Sequence, residues 1–150
     1  MTFRRLTLSA LSLHAAACSS CDPTEDTSLP HDTGDTAVAD TTPAIRIVAP
    51  VAESSVTGCA TFVVEIDNFT LVDFETNTQN VEREGHYHLT WDDGYEPCIE
   101  LSCVVTFQTE GFQSITAQLM NNDHTPYLDQ DEHTIQYAIP LQVNAGACSE

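Results

Sequence analysis

The sequence contains no lysine, and its four basic residues, Arg4, Arg5, Arg46 and Arg83, stand against 23 Asp and Glu. A chain so poor in cations has no electrostatic footprint for nucleic acid or an anionic lipid surface. It also has no Gly-x-Ser-x-Gly elbow, no phosphate-cradling glycine loop and no His-Glu-x-x-His helix, so the expectation is a protein that is not an enzyme. Residues 44–150 contain no Cys-x-x-Cys pair, which disfavours a thiolate zinc site and leaves structural disulfides as the natural use of their four cysteines. No apolar run is long enough to span a bilayer as a mature helix, no stretch carries a helical stripe, and there is no internal repeat.

The first 17 residues have the form of a secretory signal peptide: Arg4 and Arg5, then an apolar run from Leu6 to Ala17. The run ends Ala15-Ala16-Ala17-Cys18, which resembles the bacterial lipobox, although Ala15 stands where that motif usually has Leu. The resemblance implies lipidation of Cys18 and a mature protein anchored to the bilayer of the cell envelope by an acyl chain; ordinary Ala-x-Ala cleavage is the competing reading. Residues 22–43 hold six acidic residues, no Lys or Arg and almost no large apolar side chains, so residues 18–43 read as an acidic tether too polar to repay ordering entropy. Its Asp-Thr-Gly-Asp-Thr segment is similar to the linkers of surface lipoproteins. Loss of the leader leaves two arginines against 23 carboxylates, a formal charge of −21, which either attracts cations or simply keeps the domain soluble.

Residues 44–150 form one domain of ordinary size, and their apolar pattern has period two almost throughout. Strands are expected at 44–50 (AIRIVAP), 60–69 (ATFVVEIDNF), 86–91 (HYHLTW), 99–108 (IELSCVVTFQ), 112–120 (FQSITAQLM) and 134–143 (TIQYAIPLQV). A short edge piece at 69–74, or a continuation of the 60–69 strand after a bend, brings the total to about seven. The fold class is therefore all-β, and about seven short antiparallel strands suggest an immunoglobulin-like β-sandwich. Trp91 suits the core tryptophan of that fold, and the order from IRIVAPVAESSVTG to GFQSITAQLMNNDHTP resembles bacterial immunoglobulin-like domains of envelope proteins.

That resemblance carries two implications. Its topology places the end of the last strand near the start of the second, which makes Cys59–Cys148 sensible beside Cys98–Cys103; Cys59–Cys98 with Cys103–Cys148, and Cys59–Cys103 with Cys98–Cys148, stay open. It also makes the 112–120 strand the antiparallel neighbour of 86–91. Alternation puts Tyr87, Leu89 and Trp91 on the core face and turns His86 and His88 outward, alongside Met120 and the turn that holds His124.

Two histidines at i and i+2 lie about 7 Å apart on one strand face, and a third imidazole from a turn completes a facial set suited to copper or zinc. The Met120 thioether tilts the choice toward copper. Gly85, His86 and His88, followed by His124 and Pro126, are also similar to small bacterial envelope proteins with a Gly-His-His-His-type strand and a later His-x-Pro turn, from which Tyr87 departs. His133, by parity with Ile135 and Tyr137, should face the core. A weaker oxygen-donor set for calcium is offered by Asp123, Asp129, Asp131 and Glu132, with Glu82 and Glu84.

The competing reading makes the histidines ordinary polar residues of an exposed strand, His124 a turn residue and Met120 a gap-filler, in a recognition or structural module for a surface protein or glycan. The geometry decides between them. Three imidazole nitrogens within about 2 Å of one point support a metal, whereas His124 at the far end of the sandwich ends that reading.

Overall fold

A computed structural model of the chain describes residues 41–148. The leader, Cys18, Cys21 and most of the tether lie outside the described residues. Nine strands run in chain order: β1 (Ala44–Ala49), β2 (Ser55–Thr57), β3 (Cys59–Asp67), β4 (Thr70–Leu71), β5 (Glu84–Trp91), β6 (Gly94–Cys98), β7 (Ser102–Thr106), β8 (Gly111–Met120) and β9 (Gln136–Asn144). There is no helix among the described residues, and the fold is an all-β sandwich.

One layer is β1–β3–β7, antiparallel throughout, and the other is β2–β9–β8–β5–β6. The layers meet through β2, which runs parallel to β9 and whose Thr57 pairs with Cys59 of β3. Alternation explains the packing. In β3, Phe62 and Val64 are buried while Val63 and Glu65 are exposed; in β8, Ile115, Ala117 and Leu119 point inward. These side chains meet Ile45, Ile47, Tyr87, Leu89, Val105, Ile139, Leu141 and Val143 in one core, and each fully buried aliphatic residue contributes about 1.5–3 kcal/mol.

Two strands were not anticipated. β2 is three residues long, too short for a period to register, and β6 contains Pro97, which reads as a strand breaker but is accommodated because β6 pairs only with β5 and forms an edge. The expected edge piece at 69–74 contracts to β4, parallel to the start of β5. Trp91 also differs from expectation: it is only partly buried, at the rim of the core, with its ring 6.0 Å from Phe107. Tyr87 is the fully buried ring of β5, and its hydroxyl donates to the Glu100 carbonyl at 2.9 Å.

Cys59 and Cys148 lie at disulfide distance, with Cα atoms 5.2 Å apart, and so do Cys98 and Cys103, at 6.0 Å. The parallel β2–β9 pairing brings the chain beyond β9 back to the start of β3 and so accounts for the first pair.

Candidate metal centre

The site begins at the first half of β5. Pairing with β8 sets His86 opposite Met120 and His88 opposite Gln118, on the sheet face away from Tyr87 and Leu89. Gly85 permits this close approach, because a Cβ there would overlap the Met120 carbonyl oxygen and lie 3.1 Å from the Phe69 ring.

Beyond Met120 the chain turns through residues 121–126. The Asn121 amide donates to the Thr125 carbonyl at 2.8 Å and the His124 amide to the Asn121 carbonyl at 3.0 Å. The Thr125 amide and hydroxyl donate to the Asp123 carboxylate at 3.0 and 2.6 Å. His124 adopts a left-handed backbone conformation with φ 62°, which swings its ring back over β5. A second loop, residues 72–83, is fastened to this turn: Asn122 Nδ2 donates to the Gln79 carbonyl at 2.8 Å and the Asp123 amide to Asn80 Oδ1 at 3.0 Å.

Three imidazole nitrogens meet as a result. His86 Nε2 lies 3.0 Å from His88 Nε2, and His124 Nδ1 lies 3.2 Å from each of them. A triangle with these sides has a circumradius of about 1.8 Å, so a point about 2.05 Å from all three nitrogens, an ordinary metal–imidazole distance, exists about 1 Å off their plane.

Hydrogen bonding alone leaves this triangle unsatisfied. Each imidazole nitrogen offers in the ring plane either one N–H or one lone pair. Among three mutually adjacent nitrogens at least two must be of the same kind, so whichever tautomers are present, one pair sets lone pair against lone pair or N–H against N–H. A cation accepts all three lone pairs at once.

Burial favours the neutral form of the two histidines on β5. Desolvation, and then the neighbouring His88 and His124, push His86 down to about 4, and desolvation followed by His124 lowers His88. Asp123, which precedes His124 in the chain, is held below the usual carboxylate range by hydrogen bonds from the Thr125 hydroxyl and amide within the turn.

Exposure departs from the sequence expectation. His86 was expected on a solvated face, yet it is fully buried, while His88 is half-buried and His124 exposed. The cause is the 72–83 loop, whose Phe74 ring lies 4.5 Å from the His86 ring and 4.6 Å from that of His124. Phe74 is the site residue that alternation within β5 could not reveal, since it belongs to a loop with no strand period. Tyr95 of β6 flanks His88 at 5.3 Å. Met120 lies on the same sheet face as His86 and is 6 % exposed, so it packs beside the cluster rather than at the surface. The Nδ1 atom of His86 is buried without a hydrogen-bond partner.

The other candidates lie elsewhere. His133 does not face the core: β9 begins only at Gln136, so strand parity does not extend to it, and its exposed ring pairs with Asp129 at 3.6 Å. Asp129 itself accepts from the amides of Asp131 and His133 at 2.9 and 2.8 Å, and so shapes its own turn. Among the described residues, His86, His88 and His124 are the group of three or more His, Cys, Asp or Glu with ligand atoms drawn together; the acidic residues proposed for calcium are not gathered in this way.

No protein-family model matches the chain, and neither does any curated protein sequence. Among solved structures, a crystal structure of an engineered protein matches over 68 % of this chain with a TM-score of 0.44 and 8 % identity. An endo-β-1,4-mannanase from Thermotoga petrophila matches over 69 % with a TM-score of 0.45 and 7 % identity. The chain spans 20 % of the length of each.

Proposed function

We propose that the chain is a lipid-anchored protein of the bacterial cell envelope whose single immunoglobulin-like domain binds one transition-metal ion, copper or zinc, through His86, His88 and His124. The observation that carries this reading is the triangle of nitrogens at 3.0, 3.2 and 3.2 Å, which fits an ion and which hydrogen bonding cannot satisfy. The acidity of the domain supports it, because a field of this sign concentrates cations at the surface. Met120, packed on the same face, is the soft neighbour that favours copper. The parallel β2–β9 pairing and the order β9–β8–β5 support the immunoglobulin-like assignment. Lipidation at Cys18 rests on the Ala-Ala-Ala-Cys sequence alone. The role is binding rather than catalysis.

Equilibrium dialysis against Cu(II) and Zn(II), with metal analysis of the retained protein, tests the reading. The wild type should retain one equivalent. His88→Gln and His124→Asn should lose retention while melting near the wild-type temperature, since both side chains reach solvent and Asn tolerates the left-handed conformation at 124. Absence of uptake by the wild type would leave the recognition module as the better account.

A further inference from the structure

Three nitrogens spaced 3.0, 3.2 and 3.2 Å apart do not encircle an ion; they cap one side of it. At a metal–nitrogen distance of about 2.05 Å, these edges correspond to N–metal–N angles of about 94° to 103°, between an octahedral face and a tetrahedral one. The hemisphere opposite the imidazoles is therefore left to other donors. No Asp, Glu or Cys among the described residues places a ligand atom with the three nitrogens.

The walls around the cluster are unequal. Phe74 lies against His86 and His124 and carries no donor, whereas the His124 side and Tyr95, which is 62 % exposed, reach solvent. Met120 lies beside His86 and fills one position at most. The ion's own charge attracts anions, but the chain carries 23 Asp and Glu against four Arg, and the field of that excess opposes an incoming anion and spares a neutral donor.

We infer that an ion held by His86, His88 and His124, which rests on the function proposed above, keeps an exchangeable coordination position open on the His124 side, and that its external ligand is a small neutral donor: water at rest, displaced by an imidazole. Such a centre exchanges ligands with its surroundings instead of locking the ion into a closed cage.

The purified protein loaded with one equivalent of Co(II) gives a visible spectrum that reports coordination. Titration with free imidazole should shift the d–d bands of the wild type saturably while the metal stays bound on gel filtration, with a weaker response to azide. Bands that stay fixed until imidazole strips the metal would overturn the inference and leave the metal site standing. A shift confined to Met120→Leu would overturn it too, because the thioether would then occupy the position, and azide binding tighter than imidazole would refute the neutral-donor class. Failure to retain Co(II), Zn(II) or Cu(II) at all would remove the proposed function together with the inference.

Discussion

His86 carries an unusual load for one side chain: it is completely buried, it touches two other imidazoles, and it lies under an aromatic ring. Its folded-state pKa of about 4 lies below the ordinary 6.5, chiefly through burial, so folding favours the neutral ring. The unfolded chain then takes up its proton first as pH falls. The metal-free protein should therefore hold this part of its stability above about pH 6.5 and lose it progressively between about pH 6.5 and 4. Denaturant titrations across that interval check the slope; a flat profile would contradict the burial of His86. Gly85 gives a second prediction at this scale. Gly85→Ala should destabilise by about 2 kcal/mol or more, because the new methyl meets backbone rather than a flexible side chain, and its thermal melt should fall accordingly. Much at this scale is legible in the sequence. Period two assigns Tyr87 and Leu89 to the core and His86 and His88 to the opposite face, and only the burial of His86 escapes, because it depends on Phe74 reaching in from a loop.

At the scale of elements, the site is assembled from three pieces: β5, the turn after β8, and the 72–83 loop. The first two are joined by antiparallel pairing, which the sequence pattern implies once β5 and β8 are taken as neighbours. The third is joined by side-chain contacts across 43 residues, from Asn122 to Gln79 and from Asp123 to Asn80, and no local periodicity reports such contacts. The same reasoning explains the two unanticipated strands and the misplaced His133. β6 is specified by its β5 partner despite Pro97, and at His133 the β9 parity has not yet begun. The cysteine pairs differ by the loops they close, with sequence separations of 89 and 5. Loop-closure entropy makes the longer link worth about 4–5 kcal/mol and the shorter about 2 kcal/mol. Replacing Cys59 and Cys148 together by Ala should accordingly lower denaturant stability by more than the Cys98 and Cys103 double replacement; the reverse order would show that strand ends, not chain entropy, dominate.

For the whole molecule, the described domain is a compact apolar core inside a strongly acidic surface, with three imidazoles gathered at one end of the sandwich. Acidity attracts cations without choosing among them, whereas imidazole donors as a class favour borderline transition metals over the hard cations that carboxylates prefer. The central claim is that this triangle is a coordination set. X-ray absorption of the protein loaded with one equivalent of Cu(II) or Zn(II) tests it most directly. The account predicts a first shell near 2.0–2.1 Å containing three imidazoles, recognised by their outer-shell scattering, and falling to two in His124→Asn. A loaded metal with fewer than three imidazoles, or a shell unchanged by His124→Asn, would contradict it.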